Sequence, residues 1–67
     1  MHIASNLKYL RGKRGMTQVE LARILEKTSA AISDYEKGKS TPPMEVAFRI
    51  CELFHITLDD FARKDLR

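Results

Sequence analysis

Apolar residues recur at intervals of three and four along nearly the whole sequence, so the chain can bury a hydrophobic surface only as a set of α-helices. The alternation of apolar and polar residues that is typical of β-strands is absent. We therefore expect an all-α fold, a compact five-helix bundle in which residues 1–67 form a single domain.

The shortness of the chain limits how such a bundle can be stabilised. A domain of this size buries only about 60% of the surface that its unfolded chain exposes. Of the 67 residues 43% are hydrophobic, which is enough for a folded domain, but the single cysteine, Cys51, excludes a disulfide framework. Close packing of helices, supplemented by association of two copies, is what remains.

Local start and stop signals place the five helices. Thr17 and Glu20 form a capping box at the start of helix two, and Thr28 is a second cap, at the start of helix three. Gly15 and Gly38 are suited to end helices one and three. The C-terminal residues 64–67 are expected to fray. The predicted helices run over about Ile3–Lys13, from Thr17 to near Glu26, over Ser29–Lys37, over Met44–Phe54 and onward from Thr57.

The middle of the chain has the spacing of a helix-turn-helix, because helices two and three are separated by about three residues. This spacing alone is common in small helical proteins. The flanking residues are more specific, and the stretch from Leu7 to Phe61 resembles the lambda-repressor-like, Cro/CI (XRE-type) helix-turn-helix family. The matching residues are Leu7-x-x-Leu10-Arg11, Met16-Thr17-Gln18-x-x-Leu21-Ala22, Ile32-Ser33-x-Tyr35-Glu36-x-Gly38, Pro42 and Leu53-Phe54-His55-Ile56-Thr57-Leu58.

The resemblance implies a DNA-binding transcriptional regulator, which we expect to be a homodimeric repressor of a near-palindromic double-stranded operator. Helix three then lies in the major groove. On its outward face, an aspartate can accept a hydrogen bond from cytosine, and an alanine can contact a thymine methyl group. The two serine hydroxyls can donate or accept hydrogen bonds. The alternative is an ordinary solvated helix face. The residues predicted to contact bases are Ser29, Ala30, Ser33 and Asp34.

Phosphate contacts are predicted around helix three. Gln18 lies in the first turn of helix two, where backbone amides carry partial positive charge, and the resembled repressors use this glutamine on the DNA backbone. The loop after helix three offers further donors, although such a loop can equally be plain solvated surface. The residues predicted to contact phosphates are Gln18, Thr17, Lys27, Lys37, Lys39, Ser40 and Thr41.

Structural roles also follow from the resemblance. It implies a partly buried ion pair between Arg11 and Glu36, which joins helices one and three. Glu26 departs from the family, because this position of the turn usually carries glycine; either Glu26 takes a less comfortable backbone or the turn differs slightly. His55 stands in a turn signal, where it can take a left-handed backbone. Three apolar residues of the last two helices are expected at the dimer interface: Phe54, Leu58 and Phe61.

The main alternative is a protein-binding role, because the same fold serves as an antitoxin or as a partner-controlled regulator. Asp34 on the recognition face and a net charge of only +3 make DNA affinity less certain, and a toxin is then the expected partner. Against this alternative, no segment for holding a toxin or sensing a ligand is recognised.

Other classes of function are not expected. No phosphate loop and no paired nucleophile and base are visible, so an enzyme is not predicted. Cys51 and His55 have the spacing of a two-ligand clip, but a third ligand is lacking near them, so neither a metal nor another cofactor is expected. No apolar run reaches the roughly 18 residues of a membrane span. A lone thiol and no recognised targeting segment favour the cytoplasm.

Overall fold

The computed structural model describes residues 1–67 and contains five α-helices and no strand. The predicted all-α fold is confirmed, and the bounds of the first four helices and the start of the fifth lie within a residue or two of the expected positions. The helices are α1 Ile3–Lys13, α2 Gln18–Leu25, α3 Ser29–Lys37, α4 Met44–Phe54 and α5 Leu58–Arg63.

Threonines begin three of the helices. The hydroxyl oxygens of Thr17, Thr28 and Thr57 each accept a hydrogen bond, at 3.0–3.1 Å, from the amide three residues later. The predicted capping box is complete, because the Thr17 amide also donates to the Glu20 carboxylate at 2.8 Å. The hydrogen bonds from Thr17 lower the pKa of Glu20. These caps satisfy amides that would otherwise lack partners.

Two helices end in a left-handed residue that is not glycine. Glu26 has φ 57° at the end of α2, and His55 has φ 56° at the end of α4. The sequence predicts a possible left-handed backbone at both positions, and of the two alternatives at Glu26 the structure has the strained backbone. For a residue with a Cβ this conformation costs roughly 1–2 kcal/mol, so the surrounding contacts must offset it.

The core draws on all five helices. Its centre is formed by side chains with no exposed surface: Leu7, Leu21, Ile32, Ile50 and Phe61. Helix α1 packs against α3 and α5, and α2 packs against α3 and α4. Helix α3 is therefore held from behind, through Ile32 and Tyr35, while its opposite face is open to solvent.

The C-terminal residues do not simply fray, contrary to the expectation from the sequence. Asn6 of α1 is fully buried, and its side-chain amide donates to the carbonyl oxygens of Phe61 at 2.8 Å and Lys64 at 2.6 Å. Its side-chain oxygen accepts from the Leu66 amide at 3.1 Å. These bonds hold the segment after α5 against α1, and Leu66 is half-buried as a result.

None of the five helices combines the length and the apolar character needed to cross a membrane. The structure also brings together no group of three His, Cys, Asp or Glu side chains that could hold a metal ion. Cys51 packs in the core, where burial raises the pKa of its thiol.

Candidate nucleic-acid interface

Helices α2 and α3 are joined by a tight turn. The Lys27 amide donates to the Ala22 carbonyl at 2.8 Å, which closes the end of α2. Thr28 then caps α3. The turn thus occupies residues 26–28, as the spacing predicted, and it sets α3 against both α1 and α2.

The outward face of α3 consists of small or short side chains. Ser29 and Ala30 in the first turn are exposed, and Ser33 and Asp34 one turn later are partly exposed. All four residues predicted to contact bases are therefore brought together on one accessible face. A helix of about 10–12 Å in diameter fits the major groove, and short side chains allow its backbone to approach the base edges closely.

Side chains suited to phosphate flank this face at both ends. Lys27 precedes α3, and Lys37 ends it; both are exposed, as are Lys39, Ser40 and Thr41 in the loop that follows. Thr17 is exposed as well, but its hydroxyl oxygen already accepts the capping hydrogen bond from Glu20. The arrangement places cations on either side of the recognition face, in which Asp34 is the only ionisable side chain.

The predicted ion pair is present behind the recognition face. Arg11 Nε donates to Glu36 Oε2 at 2.6 Å, and Arg11 Nη2 donates to Glu36 Oε1 at 3.1 Å. The carboxylate side chain is only 4% exposed and that of the arginine 17%. Arg11 also donates to the Met16 carbonyl at 2.7 Å. The side-chain hydrogen bond to Glu36 raises the pKa of Arg11, so the guanidinium is charged throughout the physiological range.

Gln18 belongs to the same network. Its side-chain amide donates to Glu36 Oε1 at 3.1 Å, and the residue is partly exposed at the start of α2. This hydrogen bond ties the start of α2 to α3. The buried carboxylate of Glu36 thus joins three helices, because it accepts from an arginine of α1 and a glutamine of α2 and itself belongs to α3.

Comparison with known proteins agrees with this geometry. The helix-turn-helix family profile matches residues 7–61, which is most of the chain. The chain belongs to the Cro/CI (XRE-type) helix-turn-helix family. This helix-turn-helix protein is a DNA-binding transcriptional regulator of a non-enzymatic family.

Individual relatives of this helix-turn-helix protein cover it to different extents. An uncharacterized HTH-type transcriptional regulator of Methanocaldococcus jannaschii is 36% identical over 56 residues, which span 84% of this chain and 85% of the relative. Antitoxin PezA of Streptococcus pneumoniae is 35% identical over 94% of this chain but only 40% of its own length. The HTH-type transcriptional activator BcrR of Enterococcus faecalis is 37% identical over 90% of this chain and 29% of its own length.

The residues predicted at a dimer interface need correction. Phe61 has no exposed surface, and Phe54 is buried with the Arg14 guanidinium 5.3 Å from its ring centre. Both side chains fill the core of the helix-turn-helix protein itself, so neither is available to a second copy. Of the three, only Leu58 is partly exposed. The period of the apolar residues predicts which sides of α4 and α5 are buried, but it does not show that the core encloses Phe54 and Phe61 almost completely.

Two polar residues with structural importance were missed in the sequence. Asn6 lies three residues after Ile3 and four before Leu10, which is the buried face of α1, and this position was a usable signal. Arg49 of α4 donates to the carbonyl oxygens that end α2 and to Glu26. No sequence signal links a residue of α4 to that turn, because the contact spans more than 20 residues.

Proposed function

We propose that this chain is a sequence-specific regulator that binds double-stranded DNA as a homodimer, with α3 in the major groove of a near-palindromic operator, and that it acts as a repressor. The observation that carries this proposal is the recognition face: α3 is fixed from behind by the core, and its open side presents four short side chains between flanking lysines. That shape and charge suit a duplex groove.

The chemistry of the face determines what it can read. Ser29 and Ser33 discriminate weakly, because a hydroxyl donates and accepts. Ala30 offers a methyl group to thymine, and Asp34 accepts from cytosine N4. None of the four can make the two-bond contact with guanine that arginine makes, so we expect direct readout to be modest. The shape of the DNA and the spacing of two half-sites then carry more of the preference.

Phosphate contacts supply most of the affinity in this proposal. Lys27 and Lys37 lie at opposite ends of α3, so they can reach the backbones on the two sides of the groove, and Lys39, Ser40 and Thr41 extend the second contact. Gln18 and Thr17 serve the phosphate nearest the start of α2. Such contacts make affinity fall steeply with salt while specifying no sequence.

The surface proposed for the dimer is an apolar face formed by Met44, Phe48, Ile56 and Leu58. Met44 is 60% exposed and Phe48 51%, although both are large and apolar. Phe48 borders an open cavity of about 750 Å³ that Ile56 and Leu58 also line. In a two-fold arrangement the same patch meets itself, so each Phe48 ring can enter the cavity of the other copy. Two recognition helices about 34 Å apart would then face one side of the DNA.

Selection from a random duplex library at near-physiological salt tests the proposed function. Purified protein is mixed with the library, and the bound pool is sequenced. An enriched near-palindrome with half-sites about 10 bp apart is expected. A pool without enrichment would contradict sequence-specific binding. The similarity to antitoxin PezA would then direct the search to a protein partner, and a toxin is the second candidate for what this fold binds.

Two single substitutions separate base contacts from phosphate contacts. Ser33→Ala is expected to change the order of preferred half-site sequences, while binding to an unrelated duplex is kept. Lys39→Ala is expected to weaken binding to all sequences and to lower the salt slope by about one. Titrations of both variants over a range of salt measure these effects. If Lys39→Ala lost affinity for only some sequences, Lys39 would not be a phosphate contact. If Ser33→Ala lost affinity equally for all sequences, Ser33 would not be a base contact.

The dimer is tested by placing a charge on the apolar face. Phe48→Glu is expected to sediment as a monomer at micromolar concentration, because the carboxylate would be buried against the second copy. Val19→Glu is the matched control, since Val19 is 54% exposed on another helix and the variant should remain dimeric. A monomeric wild-type protein, with and without DNA, would refute the dimer. A dimeric Phe48→Glu would refute this face as its interface.

A further inference from the structure

Arg49 of α4 reaches across to the helix-turn-helix turn. Its Nη1 donates to the Leu25 carbonyl at 3.1 Å, and its Nη2 donates to the Ile24 carbonyl at 3.3 Å and to Glu26 Oε1 at 3.1 Å. One guanidinium therefore contacts the last two residues of α2 and the first residue of the turn. The two carbonyls, of Ile24 and Leu25, have no hydrogen-bond partner within α2. They lie at the end of the helix that carries negative partial charge.

The turn needs such a partner because Glu26 is held at φ 57°. The backbone of a residue with a Cβ is strained in this left-handed conformation, and the turn could relax by moving α3 relative to α2. Arg49 opposes that movement at both points, since it fixes the Glu26 carboxylate and the carbonyls just before it. Lys27 and Thr28 follow directly, so any shift at Glu26 is transmitted to the start of α3.

We infer that Arg49 is a positioning residue for DNA recognition: by clamping Glu26 and the end of α2 it fixes the angle at which α3 leaves the turn. The inference rests on the proposed function, in which α3 reads the groove. Phe48 and Arg49 are consecutive residues of α4 with different surroundings: Phe48 lines the open cavity with Ile56 and Leu58, whereas Arg49 contacts the turn. Helix α4 thereby connects the proposed dimer surface to the orientation of the recognition helix.

If Arg49 served stability alone, its removal would lower the free energy of unfolding without changing the discrimination between DNA sequences. The Arg49 and Glu26 side chains are 35% and 81% exposed, and exposed ion pairs contribute little to the free energy of unfolding. Arg49→Met also removes two hydrogen bonds to backbone carbonyls, so we expect this variant to fold with a melting temperature lower by only a few degrees. The effect should instead appear in discrimination between DNA sequences, which depends on where α3 points.

The test compares the affinity for the selected operator with that for an unrelated duplex of equal length, well below the melting temperature of every variant. Arg49→Met is expected to lower this ratio about ten-fold, within the range by which residues away from a ligand modulate coupling. Arg63→Met is the matched control, because it removes the same charge from an exposed pair with Asp59 on α5. Its ratio should stay within about two-fold of wild type.

A rescue variant separates positioning from direct contact. Glycine adopts the left-handed conformation without strain, so Glu26→Gly combined with Arg49→Met is expected to recover most of the lost ratio. A ratio unchanged in Arg49→Met would overturn the inference. An equal loss of affinity for all duplexes, with a salt slope lower by about one, would also overturn the inference, because it would make Arg49 a phosphate contact.

The orientation of α3 can also be measured without DNA. Residual dipolar couplings of the backbone amides give the angle between α2 and α3, which Arg49→Met should change and which Glu26→Gly, combined with Arg49→Met, should restore. An unchanged angle would overturn the inference. If the wild-type protein selects no DNA sequence but the angle responds as expected, the proposed function fails while the positioning role of Arg49 stands.

Discussion

Replacing Arg11 with methionine is expected to lower the free energy of unfolding by about 3–5 kcal/mol, because the substitution leaves a buried carboxylate without its cation. Glu36 is almost fully enclosed and accepts two of its three side-chain hydrogen bonds from Arg11. The Met16 carbonyl loses its partner as well. Urea unfolding followed by circular dichroism measures the loss, and a melting temperature lower by at least about 12 °C should accompany it.

The double variant Arg11→Met, Glu36→Met is the control for this prediction. When both partners are apolar, no buried charge remains, so the double variant should be more stable than Arg11→Met alone. DNA binding of Arg11→Met should fall together with stability, because Gln18 and α3 are both held by the same carboxylate. Unchanged stability of Arg11→Met would refute the structural role of the pair.

The second large effect is expected at Asn6. Asn6→Leu keeps a side chain of similar size but strands two carbonyl oxygens and one amide that Asn6 now satisfies. A buried polar group without a partner costs about 1–3 kcal/mol, and the exposed end of the chain can rotate some of these groups toward water. We therefore expect a loss of about 2–4 kcal/mol in urea unfolding.

A chain lacking residues 64–67 provides the control for Asn6→Leu. Two of the three backbone partners of Asn6 are absent from that shortened chain, so the same substitution should cost clearly less there. The difference between the two backgrounds measures the coupling between Asn6 and the C-terminal segment. Equal losses in both backgrounds would show that Asn6 does not hold that segment.

Most of the backbone could be predicted because its determinants are local. A threonine cap, a glutamate three residues later and a glycine or left-handed residue at the end act within one helical turn. This is why the bounds of α2 and α3 were predicted, and why the positions of Glu26 and His55 were flagged. The helical period alone also assigns Ala30 and Asp34 to the side opposite Ile32, and Ser33 to the edge of that side.

The partition of apolar residues between core and surface could not be predicted in the same way. Phe48 and Phe54 are both phenylalanines of α4, yet one is half-exposed and the other is buried beneath Arg14. Which of them is covered depends on where α2 and α5 meet α4, and this is a property of the assembled fold. The partners of Arg49 and Asn6 escaped prediction for the same reason, because each contact joins segments far apart in the chain.

The division of α3 into a buried side and an open side separates two kinds of selection. Ile32 and Tyr35 hold the helix in place, whereas Ser29, Ala30 and Ser33 contribute almost nothing to the core. Substitutions on the open side should therefore cost little in folding, and under the proposed function they would alter the preferred DNA sequence. A gene duplicate of this chain could then acquire a new target through one or two such changes, while its helical core and its turn stayed the same.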